Sequence, residues 1–248
     1  MTNAVYTKFY NEIPVDSEEI FRYMGCREAD EKTLSLVNDC LSEALPKLVY
    51  KVCYRQFSIH ATHCKVDLSF MLSDSEALKK NLKGCDRIIV FAATVGIELD
   101  RLIAKYGKLS PSKALCFQAI GAERIESLCN TFNEDIKKRF DSENLFSKPR
   151  FSPGYGDLPL ETQKDFFGVL DCYRKIGLSL NDSLLMSPSK SVTALIGFGP
   201  KDCLEDSVTV NQFGCEIEAG SRERSADAKM PEADKCKLCE NKNCSFRR

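Results

Sequence analysis

Hydrophobic and polar positions along the chain change period several times, and each change marks an element. "SEEIFRYMG" (17–25) reads as a short helix closed by Gly25, and "DEKTLSLVNDCLSEAL" (30–45) as a longer one stopped near Pro46. "KLVYKVCYRQFSI" and "HCKVDLSF" carry the β-branched and aromatic content of strands. "SDSEALKKNLKGC" sets Ser73 and Glu76 at capping-box spacing and ends at Gly84, which predicts a helix. "DRIIVFAATVG" is almost continuously apolar, the pattern of a strand covered on both faces.

A long helix is predicted from about Ser110 to Phe140, with Ile125, Leu128, Cys129, Phe132, Ile136 and Phe140 recurring at helical spacing. On another flank Ala119, Ala122 and Glu126 lie three and four apart. Two small side chains before a carboxylate leave an open groove beside a charge; the plainer alternative is a solvated glutamate. The turn "RFSPGYGD" (150–157) follows, then "LPLETQKDFFGVLDCYRKIG", one helix with Pro159 in its first turn. Its stripe is Phe166, Val169, Leu170, Tyr173 and Ile176. "DSLLMSPSKSVTALIGFG" reads as two strands around a turn at 187–190. Past about Gly199 the chain turns polar, and "GSRERSADAKMPEADK" reads as a flexible tether.

Composition narrows the class. A chain of 248 residues, 43% hydrophobic, can bury a sizeable core, and a net charge of −1 offers no basic field for nucleic acid or an anionic membrane. No run approaches the roughly 20 apolar residues of a spanning helix, and the N-terminus lacks a secretion-signal pattern. A cytoplasmic protein is expected. Of its 13 cysteines, ten stand singly in mostly apolar surroundings, where a free thiol behaves as a small hydrophobe. Cys236, Cys239 and Cys244 are instead clustered at C-x2-C-x4-C spacing, which can converge on zinc or an iron–sulfur cluster. Either metal wants a fourth ligand, from Cys215 or a partner; the alternative is a tail of reactive thiols. His60 and His63 fall on opposite faces of an extended segment, so a structural role is expected for them.

The 150–157 turn holds the most suggestive chemistry. Arg150 can grip a carboxylate or phosphate through two parallel hydrogen bonds. Pro153 removes an amide donor, Gly154 lets a ligand approach the backbone, and Tyr155 offers an aromatic face that attracts a sulfonium or ammonium cation. The alternative is a surface turn with a solvated arginine.

The stretch 150–198 resembles the reactivation domain of cobalamin-dependent methionine synthase, which carries an Arg-x-x-Pro-Gly-Tyr turn, a helix ending at "IG", a Leu-x-x-Ser strand and a Pro-containing turn before "SV". "CDRIIVFAATVGIELDRL" (85–102) and "GAERIESLCNTF" resemble the family's strand and glutamate-bearing helix, so the likeness spans about 85–198. It implies an α+β fold, helices packed on a twisted, mostly antiparallel sheet. The expected division is 1–84 as the N-terminal region of the same domain, 85–200 as the core with the ligand turn, and 201–248 as the polar cysteine tail. The resemblance further implies S-adenosylmethionine binding by Glu126, Arg150, Ser152 through its backbone, Gly154 and Tyr155. The family also uses an early acidic residue, for which Asp16, Glu18, Glu19 and Asp30 are candidates. Gly156-Asp157 departs from the commoner residues after the tyrosine.

The implied role is reductive remethylation of cobalamin in methionine biosynthesis. This chain has no Asp-x-His-x-x-Gly motif, so the cobalamin is expected on a partner methionine synthase lacking its own activation domain, with a flavodoxin- or ferredoxin-like electron donor. The protein would be an auxiliary methyltransferase subunit that supplies positioning and no acid, base or nucleophile. The alternative function is a metal- or iron–sulfur-containing reductive activator, or a docking protein, that does not bind S-adenosylmethionine.

Overall fold

A computed structural model describes residues 4–26, 29–61, 65–141 and 143–201. These fall in the first of the two units into which the chain divides, Met1–Ser207 and Val208–Arg248. In chain order strand β1 (Tyr6–Tyr10) precedes helices α1 (Ser17–Met24) and α2 (Glu31–Ala44), then β2 (Tyr50–Ser58) and three short strands, β3 (His60–Ala61), β4 (Val66–Asp67) and β5 (Leu72–Ser73). Helix α3 (Glu76–Asn81) leads to β6 (Arg87–Thr94), and α4 (Glu98–Leu109) and the 31-residue α5 (Pro111–Asp141) follow. The rest comprises β7 (Leu145–Ser147), α6 (Gln163–Leu170), α7 (Cys172–Ile176), β8 (Ser179–Leu180), β9 (Met186–Ser187) and β10 (Ser191–Pro200).

Five strands form one sheet in the order β1-β2-β6-β10-β7, every neighbour antiparallel. Strand alternation sends successive side chains to opposite faces. Ile89, Phe91 and Ala93 of β6 join Val52, Ala194 and Ile196 in a core closed by Ile20, Val37, Leu102 and the stripe of α5. Ile88, Val90 and Ala92 join Cys53 and Leu195 in a second core closed by Leu78, Phe166, Leu170 and Ile176. The continuous apolar run of β6 therefore feeds two cores. The fold is α+β, helices against an antiparallel sheet, and no helix among the described residues is long and apolar enough to cross a membrane.

Four local readings need correction. Ser75, not Ser73, caps α3: its side chain accepts from the Leu78 amide, and the Ser73 hydroxyl accepts instead from the Ser75 amide at 3.3 Å. The predicted helix over 158–177 breaks at Asp171, which adopts a left-handed φ of 49°. That break shifts the helical phase, so Cys172 is buried and Tyr173 is 74% exposed. β9 and β10 do not pair with each other; β9 pairs with β8, and β10 lies between β6 and β7. Ala119 is buried, so the flank it shares with Glu126 is no open groove.

The free cysteines behave as expected: Cys40, Cys53, Cys116, Cys129 and Cys172 are buried thiols in the two cores. Close backbone approach marks the far end of β10, where a Cβ added to Gly199 would lie 2.0 Å from the Gly84 carbonyl oxygen. Gly199→Ala must therefore displace the turn before β6. A stability loss of about 1–3 kcal/mol, the usual cost of overpacking, is expected in urea unfolding; a loss within 0.5 kcal/mol (roughly the scatter of a neutral surface change) would show that the turn yields freely.

Candidate functional site

Helix α5 organises the site, and its most buried charges come first. Glu123 and Arg124 are 1% and 0% exposed. Ions so deep need complete compensation, because desolvation otherwise exceeds the attraction between them. Here it is supplied. Arg124 bonds Glu123 through Nε and Nη2, and donates to the Ile13 carbonyl at 2.8 Å and to the Pro14 carbonyl. Glu123 Oε1 also accepts from the Asp16 amide at 3.0 Å and from Ser127 Oγ at 2.7 Å. The segment 13–16 is thereby fastened to α5, and the start of α1 with it.

A groove of about 480 Å³ runs beside this clamp, between the segment Pro14–Glu18 and Ser127, Asn130 and Thr131 of α5. The volume falls in the usual range for small-molecule sites. Among the early acids, Asp16 lines the groove while its carboxylate caps α1 by accepting from the Glu19 amide, and Glu18 also lines it. Glu19 is paired with Arg22, and Asp30 caps α2 through the Thr33 amide. Position thus favours Asp16 and Glu18 over the other two.

Arg150 arrives from the opposite edge of the sheet. After β7 the chain continues along β10: the Lys148 amide donates to the Gly197 carbonyl at 2.8 Å, and Phe151 and Leu195 exchange bonds of 2.9 and 2.8 Å. Phe151 packs against the second core, so alternation turns Arg150 toward α5. Its Nη2 reaches Glu126 Oε2 at 2.9 Å and its Nη1 reaches Asn130 Oδ1 at 2.9 Å. With its amide oriented to satisfy both neighbours, Asn133 accepts from Arg150 Nη1 at 2.9 Å and donates to the Cys129 carbonyl. Glu126, Asn130 and Asn133 stand at i, i+4 and i+7, one flank of a helix. Asn130 also lines the groove, so one side chain is shared by the groove and the Arg150 cluster.

Burial grades the charges around this point. The Arg150 side chain is 19% exposed and that of Glu126 47%. Burial, and then the Glu126 charge, push the Tyr23 hydroxyl of α1 above its ordinary range, which keeps it a donor. Burial pushes the Cys129 thiol up to about 12, so no thiolate sits beneath the pair.

The structure brings Arg150 and Glu126 together. Ser152, Gly154 and Tyr155 follow in the turn, where two of these amides are satisfied from within. The Tyr155 amide donates to the Ser152 carbonyl at 3.0 Å, and the Gly154 amide to the Leu158 carbonyl at 2.9 Å. Tyr155 is 58% exposed, its ring edge-on to Phe151 at 6.0 Å. Cys236, Cys239 and Cys244, with Cys215, His63 and Cys64, lie outside the described residues, among which no group of three His, Cys, Asp or Glu side chains can hold a metal. Sequence reasoning missed Asn130 and Asn133, although their spacing from Glu126 was a usable signal. It also missed the buried Glu123–Arg124 pair, for which local sequence gave none.

Replacing Arg124 by Ala would leave the Glu123 carboxylate desolvated and free two buried carbonyls. A loss of about 3–5 kcal/mol, typical of a broken buried pair, is expected in urea unfolding. A loss under about 1 kcal/mol, the scale of an exposed pair, would contradict the clamp.

Comparison with known proteins places the chain in a family. A search of curated proteins found no match. Among solved structures, a crystal structure of the MetH reactivation domain bound to AdoHcy superposes with a TM-score of 0.62, covering 80% of this chain and 79% of that one at 15% identity, which speaks for the fold alone. The family model described as the activation domain of vitamin B12-dependent methionine synthase matches residues 61–204, a span that contains α5, the ion pair and the whole 150–157 turn. By that match the chain belongs to the vitamin B12-dependent methionine synthase activation-domain family.

Proposed function

We propose that the protein binds S-adenosylmethionine at the Arg150–Glu126 pair and supports reductive remethylation of cobalamin on a partner methionine synthase, in methionine biosynthesis. The observation that carries this reading is the 2.9 Å contact between a guanidinium and a carboxylate from distant parts of the chain, beside a groove, inside the family-matched segment. The fold it shares with a domain crystallised with AdoHcy adds support.

The donor set fits the ligand's amino-acid end, which carries one carboxylate and one ammonium. Arg150 can present two parallel N–H groups to the carboxylate, and Glu126 can take the ammonium. Because Glu126 is almost half exposed, the pair itself is worth about 0–1 kcal/mol. Exchanging it for the two ligand charges is therefore inexpensive. Asn130 and Asn133 hold the guanidinium in orientation during that exchange. Ser152 and Gly154 supply backbone at the rim, and Tyr155 has an exposed ring for a positive sulfur, an attraction of about 0.5–2 kcal/mol.

When bound, S-adenosylmethionine supplies a methyl group on a positively charged sulfur, which departs as the neutral thioether S-adenosylhomocysteine. The protein's own task is placement: with the Cys129 thiol protonated, nothing at the pair competes as a nucleophile. Cobalamin would come on a cobalamin-binding methionine synthase module without its own activation domain. A flavodoxin- or ferredoxin-like donor would provide the electron that returns cob(II)alamin to the nucleophilic cob(I) form.

Isothermal calorimetry with S-adenosylmethionine tests the reading. Arg150→Ala should weaken binding by about 1.5–3 kcal/mol, the range for a hydrogen bond to a charged group, and Glu126→Gln should weaken it as well. Unchanged affinity in Arg150→Ala would remove the pair from the site.

A further inference from the structure

The turn that follows Arg150 has to be held from outside. Gly154 and Gly156 both sit at left-handed backbone angles, φ 87° and 56°, and residues 154–157 are exposed. Two glycines so close give the segment many alternative conformations at little cost. Its internal bonds are few: Gly154 to Leu158, Tyr155 to Ser152, and Leu158 to Tyr155. Pro153 and Leu158 are buried, which fixes the ends and leaves the middle to other contacts.

That middle is attached to α3 by one side chain. The Asp157 carboxylate accepts from Ser75 Oγ, from the Glu76 amide at 2.7 Å and from the Ala77 amide at 3.1 Å. These donors lie about eighty residues upstream and include amides with no partner inside the helix. The neighbouring residue is matched to the same surface, since a Cβ on Gly156 would come within 2.6 Å of the Ala77 Cβ. The bonds hold the carboxylate below its ordinary range, Ser75 contributing most, so it is ionised at neutral pH.

We propose that Asp157 is a positioning residue for the ligand turn: by latching onto the N-terminus of α3, it holds Ser152, Gly154 and Tyr155 in the arrangement that receives the ligand. The inference rests on the proposed S-adenosylmethionine site, and it adds α3, none of whose residues was assigned a part in binding. It also accounts for the departure at Gly156-Asp157, where a small residue clears Ala77 and an acid reaches the amides. Affinity then depends on a contact made on the far side of the turn from Arg150.

The full-length chain is compared as wild type, Asp157→Ala, Asp157→Asn and Val37→Ala, the last destabilising the first core while leaving α3 and the latch untouched. Calorimetry reads S-adenosylmethionine affinity, urea unfolding reads stability, and hydrogen exchange without ligand reads the Gly154, Tyr155 and Leu158 amides. Expected are faster exchange of those amides in Asp157→Ala, about a tenfold loss of affinity, and partial recovery in Asp157→Asn, which keeps one acceptor. The loss should exceed that of Val37→Ala, even where Val37→Ala destabilises the fold as much or more. Wild-type affinity in Asp157→Ala, or a loss no larger than Val37→Ala gives, overturns the proposal. If the wild type does not bind at all, the site reading fails, and unchanged exchange in Asp157→Ala would separately overturn the latch.

Discussion

A guanidinium with no exposure to water must have its donors filled, and Arg124 meets that demand with the carboxylate beside it and two carbonyls of the chain's first loop. Much else follows from this one constraint. The carbonyls belong to Ile13 and Pro14, so the path from β1 into α1 is dictated by a residue on α5. The Glu123 carboxylate, held by Arg124, collects the Asp16 amide as well. The groove wall is therefore held by a polar network in addition to the packing of Ile13 and Ile20 in the first core. Such a network is directional: it fixes one approach of the segment, whereas apolar contact would accept several.

Two arginine–glutamate pairs thus meet on α5 with opposite properties. The inner pair is dry and fully bonded, and breaking it leaves a charge with nowhere to go. The outer pair, Arg150 with Glu126, keeps one partner in water and borrows orientation from two asparagines. At about 100° per residue, Arg124 and Glu126 point about 160° apart, which is how one segment can carry both. Glu123 meets the segment that leads into α1, and Glu126 meets Arg150 from the edge of the sheet. Rigidity is concentrated where nothing has to move, and exchangeable charge where a ligand would have to enter.

Element types were legible in the sequence wherever the period was long and clean. The α5 stripe, the continuous apolar run of β6 and the glycine after α1 all reported local backbone and burial correctly. What failed depended on distant partners. "LDCYRKIG" keeps helical spacing straight through Asp171, and nothing in it announces a left-handed residue. The "SPSK" turn resembles a hairpin loop, yet β9 has its partner in β8, while the start of β10 at Ser191 pairs with β6. At the site, Arg150 and Glu126 were legible as chemistry: an arginine in a rigid turn and a carboxylate beside small residues ask for charged partners. Asn130 and Asn133 lay at readable spacing, but amides give little reason to be chosen without knowing what faces them. Arg124 could not have been singled out, since a charged residue on a helix is ordinarily solvated.

Asp157 is the most instructive case. Within its own segment it reads as a turn acid, a residue type common in such places. Its partners belong to a helix whose start the sequence also misplaced by two residues, at Ser73 in place of Ser75. Both readings went astray for one reason: the α3 terminus is capped from inside by Ser75 and from outside by Asp157, and the two caps bond each other. A local reading of the helix sees one cap and a local reading of the turn sees none. The sheet, by carrying 150–151 along β10, and the second core, which holds both Leu78 and Leu158, set the two segments side by side. The chemistry assigned to the turn thus depends on a strand pairing made before the turn begins.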